Sequence, residues 1–526
     1  MRRLFFVFLL VFVALFVKGQ SLAHVQPVYI KQETKQMELA FSAFHNGDLP
    51  KAIDIYRAVY NKYPQNVMLN TALGECYFDM GHFREAMTYW YKAQRVAEDP
   101  APRLFLFLAR CHWRVGNTEK AKQLIQSILS DPIAVSEIGR TEAEELLEKI
   151  QNAIDLSNKK LTAKMRPLPN PVNSDFSERH PLLAANGKDL YYFSQREQQP
   201  GPYQSRKTGA GGKWEAPTAL PGKLLSTGTN YLVHLSEDGR KAILLRKEKG
   251  KSEGILVEAT SKKPGKWSKP KPIFGVKETP MIREACFTQD GQTLFYVAEK
   301  AKGFGAGDIY LCKRTGKKSW SPPQNLGPLI NTPEDEGGMW TNAKGTELFF
   351  WSKGHKGMGG YDIFKTTQLN GKWAKPFNLG FPINSVGEDV DFSLSPDGRS
   401  ALMASTGTSG TPNFNIFQVE LGEFSSRNKG KNVYVQAVIS GKVSDAKTGQ
   451  AVSNAKLSVV ERSSQKKAGR TATTANGSYK LNLVGNRTYL ITIKAEGYAP
   501  LTTEINVVLN AVDRTILKRD FSLEPR

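Results

Sequence analysis

Asn325-Leu-Gly-Pro-Leu-Ile-Asn331 returns 53 residues later as Asn378-Leu-Gly-Phe-Pro-Ile-Asn384, and the surrounding sequence repeats at nearly the same interval. Turn glycines stand at Gly187, Gly239, Gly291, Gly345 and Gly398, four of them preceded by Asn186, Asp238, Asp290 and Asp397. Asn-Gly and Asp-Gly pairs favour tight hairpins because they tolerate positive φ. Each turn leads into a short apolar run, as at 190–193, 294–297 and 348–351. A tryptophan follows at Trp214, Trp267, Trp320 and Trp373, 53 residues apart each time. The phrases Asp308-Ile309-Tyr310, Asp362-Ile363-Phe364 and Asn415-Ile416-Phe417 mark a third strand. Four short strands per period make one propeller blade, so five periods predict five blades between about 175 and 423. A sixth blade would need strands that the repeats do not supply.

A shorter period governs the first part of the chain. Gly47, Gly81 and Gly116 are spaced by 34 and 35 residues, each followed by an alanine five positions on, at Ala52, Ala86 and Ala121. Within the second copy Leu73, Gly74, Tyr77, Phe83, Ala86 and Ala93 recur at helical spacing, so small residues let two helices approach while Tyr77 and Phe83 fill the space between them. Residues 33–133 resemble three tetratricopeptide repeats, followed by a capping helix over 136–156. That resemblance implies a helical solenoid over 24–156 whose concave face takes a peptide or helix. Arg103, Arg110 and Trp113 are its groove-facing candidates, a basic and aromatic set suited to an acidic peptide. A solvated charged face with one packed tryptophan is the competing reading.

Residues 157–174, rich in Lys, Pro and Asn, read as a linker. The repeats beyond it resemble the WD40-like blades of TolB-type propellers, whose Ser-Pro-Asp-Gly turn is complete at Ser395, Pro396, Asp397 and Gly398. After a second linker at 424–432 the pattern changes again. Ile439-Ser440-Gly441-Lys442-Val443, Thr448-Gly449, Asn476-Gly477-Ser478-Tyr479 and Gly497-Tyr498 punctuate alternating apolar residues. Such alternation predicts a small antiparallel sandwich over 433–526. It resembles the carboxypeptidase regulatory-like domain, a transthyretin-like module that the family uses as an accessory and that brings no zinc ligands.

Length and charge narrow the function. The 526 residues suit three or four domains. The formal charge of +22 favours anionic partners. Arg2, Arg3 and the apolar run 4–17 read as a signal peptide ending by residue 23, which places the mature chain in the periplasm, peripheral to the outer membrane, and puts nucleic acid out of reach. Cys76, Cys111, Cys286 and Cys312 are too few for a disulfide framework; the first two read as small buried hydrophobes, with a disulfide between them as the lesser reading. The seven histidines form no metal-ligand spacing, and no nucleophile elbow or phosphate loop is present, so no enzyme, metal or cofactor is expected. The glycines at 303–307 and 357–360 read as hairpin loops. The acidic runs Glu334-Asp335-Glu336 and Glu388 to Asp391 read as turn polarity, with a cation site as the sharper alternative. Lys262, Lys263, Lys266, Lys269 and Lys271, with Lys313, Arg314, Lys317 and Lys318, crowd equivalent hairpins, suited to an anionic envelope polymer or simply to solvent.

The order of solenoid, propeller and sandwich behind a signal peptide resembles a periplasmic component associated with type IX secretion. In that family an OmpA-type domain grips peptidoglycan; the sequence ends at Arg526 without one, so peptidoglycan anchoring is not carried over. The resemblance implies a non-enzymatic adaptor that binds outer-membrane or secretion-complex subunits through solenoid and propeller surfaces. The alternative is an envelope glycan- or ligand-binding protein, or a hydrolase, using the propeller's central channel, for which Arg179, Tyr231, Arg283, Glu284, Glu336 and Asp389 are the lining candidates.

Overall fold

The computed structural model describes residues 31–97, 102–130, 137–158 and 163–526, apart from 197–199, 209–211, 226–227, 237, 264–265, 275–280, 300–302, 317–318, 370, 397, 422–435, 463–464, 485–486 and 508–515. The expected signal peptide and second linker lie outside the described residues. Two compact units emerge: residues up to His112 with Gln123–Ala143, and Trp113–Lys122 with Glu144–Arg526.

Seven described helices run in order: α1 Lys31–His45, α2 Leu49–Tyr60, α3 Val67–Asp79, α4 Phe83–Val96, α5 Pro102–Arg114, α6 Thr118–Leu129 and α7 Glu137–Asn158. The periodic glycines end the first helix of each pair. Gly47, Gly81 and Gly116 adopt φ of 79°, 78° and 83°, the left-handed conformation that stops a helix at least cost in glycine. Asp48 and Asn66 then cap α2 and α3 by accepting from the Lys51 and Leu69 N–H groups. Gly74 serves packing instead, since a Cβ there would lie 2.2 Å from the Trp90 indole nitrogen. Its lack of a side chain lets Trp90 bury completely, donate to the Thr71 carbonyl at 3.2 Å and stack on Phe107 at 4.8 Å. Trp90 therefore joins the second repeat to the third, while Tyr77 stacks on Tyr89 and Phe83 meets Phe78 edge-on.

The middle of the chain forms five antiparallel sheets among the described residues. Their first strands are Glu178–Leu183, Thr229–Leu235, Glu284–Phe287, Glu336–Thr341 and Asp389–Leu394. Each of these contacts the next in sequence, and the fifth contacts the first. The third sheet shows the build: Glu284–Phe287 pairs with Thr293–Ala298, that with Asp308–Lys313, and that with Gln324–Asn325. The expected 157–174 linker is in part a strand. Lys164–Pro167 pairs antiparallel with Asn415–Glu420, the third strand of the last sheet, so its fourth strand comes from before the first sheet. The sequence around it matches the connecting phrase of the other sheets. Asn173 accepts from the Ile416 N–H and donates to the Ile416 and Leu168 carbonyls, as Asn331 and Asn384 bridge both backbone groups of Ile309 and Ile363.

Beyond residue 435 two sheets face each other over a core that includes Val443, Leu457, Tyr479, Ile491 and Ile493. Gln436–Asp445 is flanked by Ser478–Val484 on one side and by Ile516–Lys518 and Phe521–Leu523, running parallel to it, on the other. The second sheet places Lys456–Glu461 beside Arg487–Lys494. Alternation of buried and exposed residues along these strands is what two packed faces require.

Candidate functional site

The repeat aligns the first strands residue by residue. Glu178, Asn230, Arg283, Glu336 and Asp389 occupy one position; Arg179, Tyr231, Glu284, Gly337 and Val390 occupy the next. At the first position three sheets build the same clamp. Glu336 accepts from the Thr332 N–H and hydroxyl and from the Ser352 hydroxyl at 2.7–2.9 Å. Glu178 does so with Ser174 and Ser194, and Asp389 with Ser385 and Ser405. These carboxylates are almost fully buried. Glu336 and Asp389 therefore do not line a channel as expected; they tie each first strand to its preceding loop and to the end of its second strand. Burial pushes Glu336 up to about 7 and Asp389 up to about 6, against the hydrogen bonds that favour their anions.

Arg179, Tyr231 and Glu284 do converge, and they draw in Asp391, His180, Lys247 and Tyr361. A bulge lies in the first strand of four sheets, between Arg179 and Leu182, Leu232 and His234, Gly337 and Trp340, and Val390 and Ser393. His180, Gly338 and Asp391 there have φ of 54°, 50° and 57°. For His180 and Asp391 this is a strained conformation held by the surroundings, and it re-aims their side chains. Asp391, with only 2% of its side chain exposed, accepts from Arg179 Nε at 3.0 Å, Arg179 Nη2 at 3.2 Å and the His180 N–H at 3.0 Å. Burial alone would raise its pKa, but the Arg179 guanidinium and the hydrogen bonds bring it down to about 2. Burial takes the His180 imidazole down to about 4, so it is neutral at pH 7. Arg283 turns to Asp335 at 2.7 Å and the Ala306 carbonyl at 3.0 Å.

Glu284 accepts from the Gly338 N–H. A side chain at Gly338 would meet Trp351 at 2.1 Å, so glycine is required where that N–H is presented. Burial first, and the Asp391 charge second, push Glu284 upward. Lys247 Nζ lies 5.2 Å from the centre of the Tyr231 ring, and burial pushes it downward. Asp391, His180 and Lys247 are not among the channel candidates expected from the sequence, where Asp391 stood only in an acidic run: the first two need the bulge to be known, and the third comes from a second strand, opposite Thr229.

The remaining candidates resolve locally. In the glycine-rich loops, Asp308 accepts from the Phe304 and Gly305 N–H groups and Asp362 from those of Met358 and Gly359, so these amides are taken by the fold. The acidic runs disperse into the clamps, the Arg179 and Arg283 pairs, and Glu388 accepting from the Tyr361 N–H at 2.8 Å. Among the described residues no group of three His, Cys, Asp or Glu is placed to hold a metal, and no helix is long and apolar enough to cross a membrane. All four cysteines are buried and free. In the helical region Arg110 pairs with Glu142 of α7 at 3.0 Å, Arg103 lies over the Phe107 ring at 5.4 Å and acts on Glu75, and Trp113 is buried. Trp113 is therefore packed and Arg110 paired within the protein, while Arg103 stays exposed, as the reading of a charged face with one packed tryptophan has it.

The tetratricopeptide repeat model matches residues 36–66, and the carboxypeptidase regulatory-like domain model matches residues 438–523. Each match falls within the stretch whose sequence resembles that module, the first over a single repeat. No curated protein matches the chain. Among solved structures, TolB from Acinetobacter baumannii is 13% identical, with 47% of this chain aligned to 57% of TolB at a TM-score of 0.30. PcrH from Pseudomonas aeruginosa is 19% identical over 25% of this chain and 99% of its own, at 0.22. The type III secretion chaperone SycD of Yersinia enterocolitica, solved with a peptide of the translocator YopD, is also 19% identical, covering 24% of this chain and 97% of SycD at 0.22. Likenesses this slight carry nothing about what the chain does.

Proposed function

We propose that the protein is a non-enzymatic scaffold of the cell envelope, built on a five-bladed propeller, which holds protein subunits of an outer-membrane or type IX secretion complex. One observation supports this above others. Strand direction assigns every loop to one of two ends: the leading end, where each sheet's first strand begins, and the opposite, trailing end. Phe176, Met281, Phe304, Leu329 and Phe381 all lie in leading-end loops, and they are five of the seven large hydrophobics exposed among the described residues. Scattered single apolar residues need no explanation, but their gathering at one end is the mark of a surface that another protein covers. The trailing end carries the Lys-Trp strands at Lys213, Lys266 and Lys372, with each lysine exposed, and so stays solvated.

The test is crosslinking purification of the tagged chain from envelopes, compared with Phe304→Ser, Leu329→Ser and Phe381→Ser combined and with Lys213→Ser, Lys266→Ser and Lys372→Ser combined. Outer-membrane or secretion subunits should be recovered with the wild type and the lysine variant and lost with the apolar-loop variant. Equal recovery from all three, or no envelope protein enriched by any, rejects the reading.

A further inference from the structure

At the convergence of the first strands four charges form two ion pairs and two further charges do not pair by contact. Arg179 holds Asp391, and Arg283 holds Asp335. Lys247 and Glu284 are each half-buried, and neither makes an ion pair among the described residues. Among the described residues, the Lys247 ammonium meets the face of Tyr231, and the Glu284 carboxylate accepts from the Gly338 N–H. The two act on each other electrostatically without touching. They also come from the second and third sheets, the adjacent sheets in which the buried acid of the clamp is replaced, by Asn230 and Arg283. The repeats thus serve as an internal comparison: where the other three sheets carry a buried acid, Asn230 donates to the Gly228 carbonyl and Arg283 reaches Asp335 and the Ala306 carbonyl.

We propose that Lys247 and Glu284 form a binding site for a small zwitterion, the lysine taking the ligand's carboxylate and the glutamate its ammonium group. A half-buried charge with no counter-ion in contact is costly, and relieving one of the two leaves the other without such a contact. A ligand carrying both charges relieves both at once. A lone anion would leave Glu284 unmatched and meet its repulsion, and a lone cation would do the same at Lys247. The lowered pKa of Lys247 and the raised pKa of Glu284 agree with two ions short of partners. Tyr231 supplies an aromatic wall at Lys247, and the Arg179 guanidinium, which also acts on Glu284, is already held by Asp391. The site is independent of whether a protein docks on the surrounding loops.

Calorimetric titration of the full chain tests this with four probes: L-alanine and 4-aminobutyrate, which differ in the distance between their charges, and propionate and propylamine, which each carry half. One zwitterion should bind at least about tenfold tighter than either half. Lys247→Met should bring that zwitterion down to the affinity of propylamine, and Glu284→Gln, which keeps an acceptor for the Gly338 N–H, to that of propionate. Thermal melting checks that both variants fold, and the four-probe comparison on the wild type decides the matter without them. Binding of propionate or propylamine as tight as that of both zwitterions, or no binding of either zwitterion at about 10 mM, overturns the proposal.

Discussion

Glu336 faces three donors with a buried carboxylate, and two opposing effects meet there. The hydrogen bonds favour its anion, burial disfavours it, and burial prevails, taking the pKa from about 4.5 in the unfolded chain to about 7. A raised carboxyl pKa means that folding is most favourable where the group is neutral in both states. Its contribution is therefore complete below about pH 4.5 and is lost as pH rises through 7. Asp389, at about 6, acts in the same direction. The melting temperature should fall between pH 4.5 and 7, and Glu336→Gln should flatten that fall while lowering stability overall, because one side-chain amide cannot accept from every donor the carboxylate serves. Asp391 has the opposite sign: its pKa of about 2 stabilises the fold above the free value of 3.8 and is lost as pH falls. Asp391→Ala should cost about 3 kcal/mol in urea unfolding at pH 7, because it strands Arg179, and much less near pH 2.

At the scale of elements, Gly74 and Asn173 are the points where one side chain decides a packing. Gly74→Ala would drive a methyl into the Trp90 indole, and overpacking of this kind should cost about 1–3 kcal/mol, read as a drop in melting temperature of the helical unit. Asn173→Ala leaves the buried Ile416 N–H without its acceptor, while the Ile416 carbonyl keeps the Leu168 N–H, and should cost about 2 kcal/mol, with faster amide exchange along Asn415–Glu420. The periods of 34 and 53 residues are enough to place helix pairs and four-stranded sheets, because Gly47, Gly81 and Gly116 and the hairpin glycines need conformations only glycine adopts readily. Lys164–Pro167 is not legible in the same way, because a four-residue strand of Lys, Met, Arg and Pro has no apolar alternation; only the likeness of 168–174 to 379–385 points to it. The channel is half legible. Spacing finds Arg179, Tyr231 and Glu284, but periodicity alone cannot tell a buried clamp from a lining residue, so it groups Glu336 and Asp389 with them.

For the whole molecule, the joining of first and last elements is the feature with the widest reach. A fragment spanning 164–421 should unfold in one cooperative transition, whereas one spanning 175–421 should lose that cooperativity and aggregate, because the outer edge of Asn415–Glu420 is left unpaired. Circular dichroism melts with light scattering distinguish the two. A fragment of 175–421 that melts as sharply as the longer one would mean that the closing strand contributes little.

That same join sets an order of events during synthesis. Lys164–Pro167 leaves the ribosome well ahead of Asn415–Glu420, the strand it must pair with, and every sheet between them has to emerge first. The helical repeats can settle from neighbouring contacts as they appear, but the ring must keep its opening segment waiting until its closing segment arrives. For a chain that is threaded through a membrane N-terminus first, the propeller would assemble entirely on the far side, and a pause late in that passage would leave the longest-lived exposed edge.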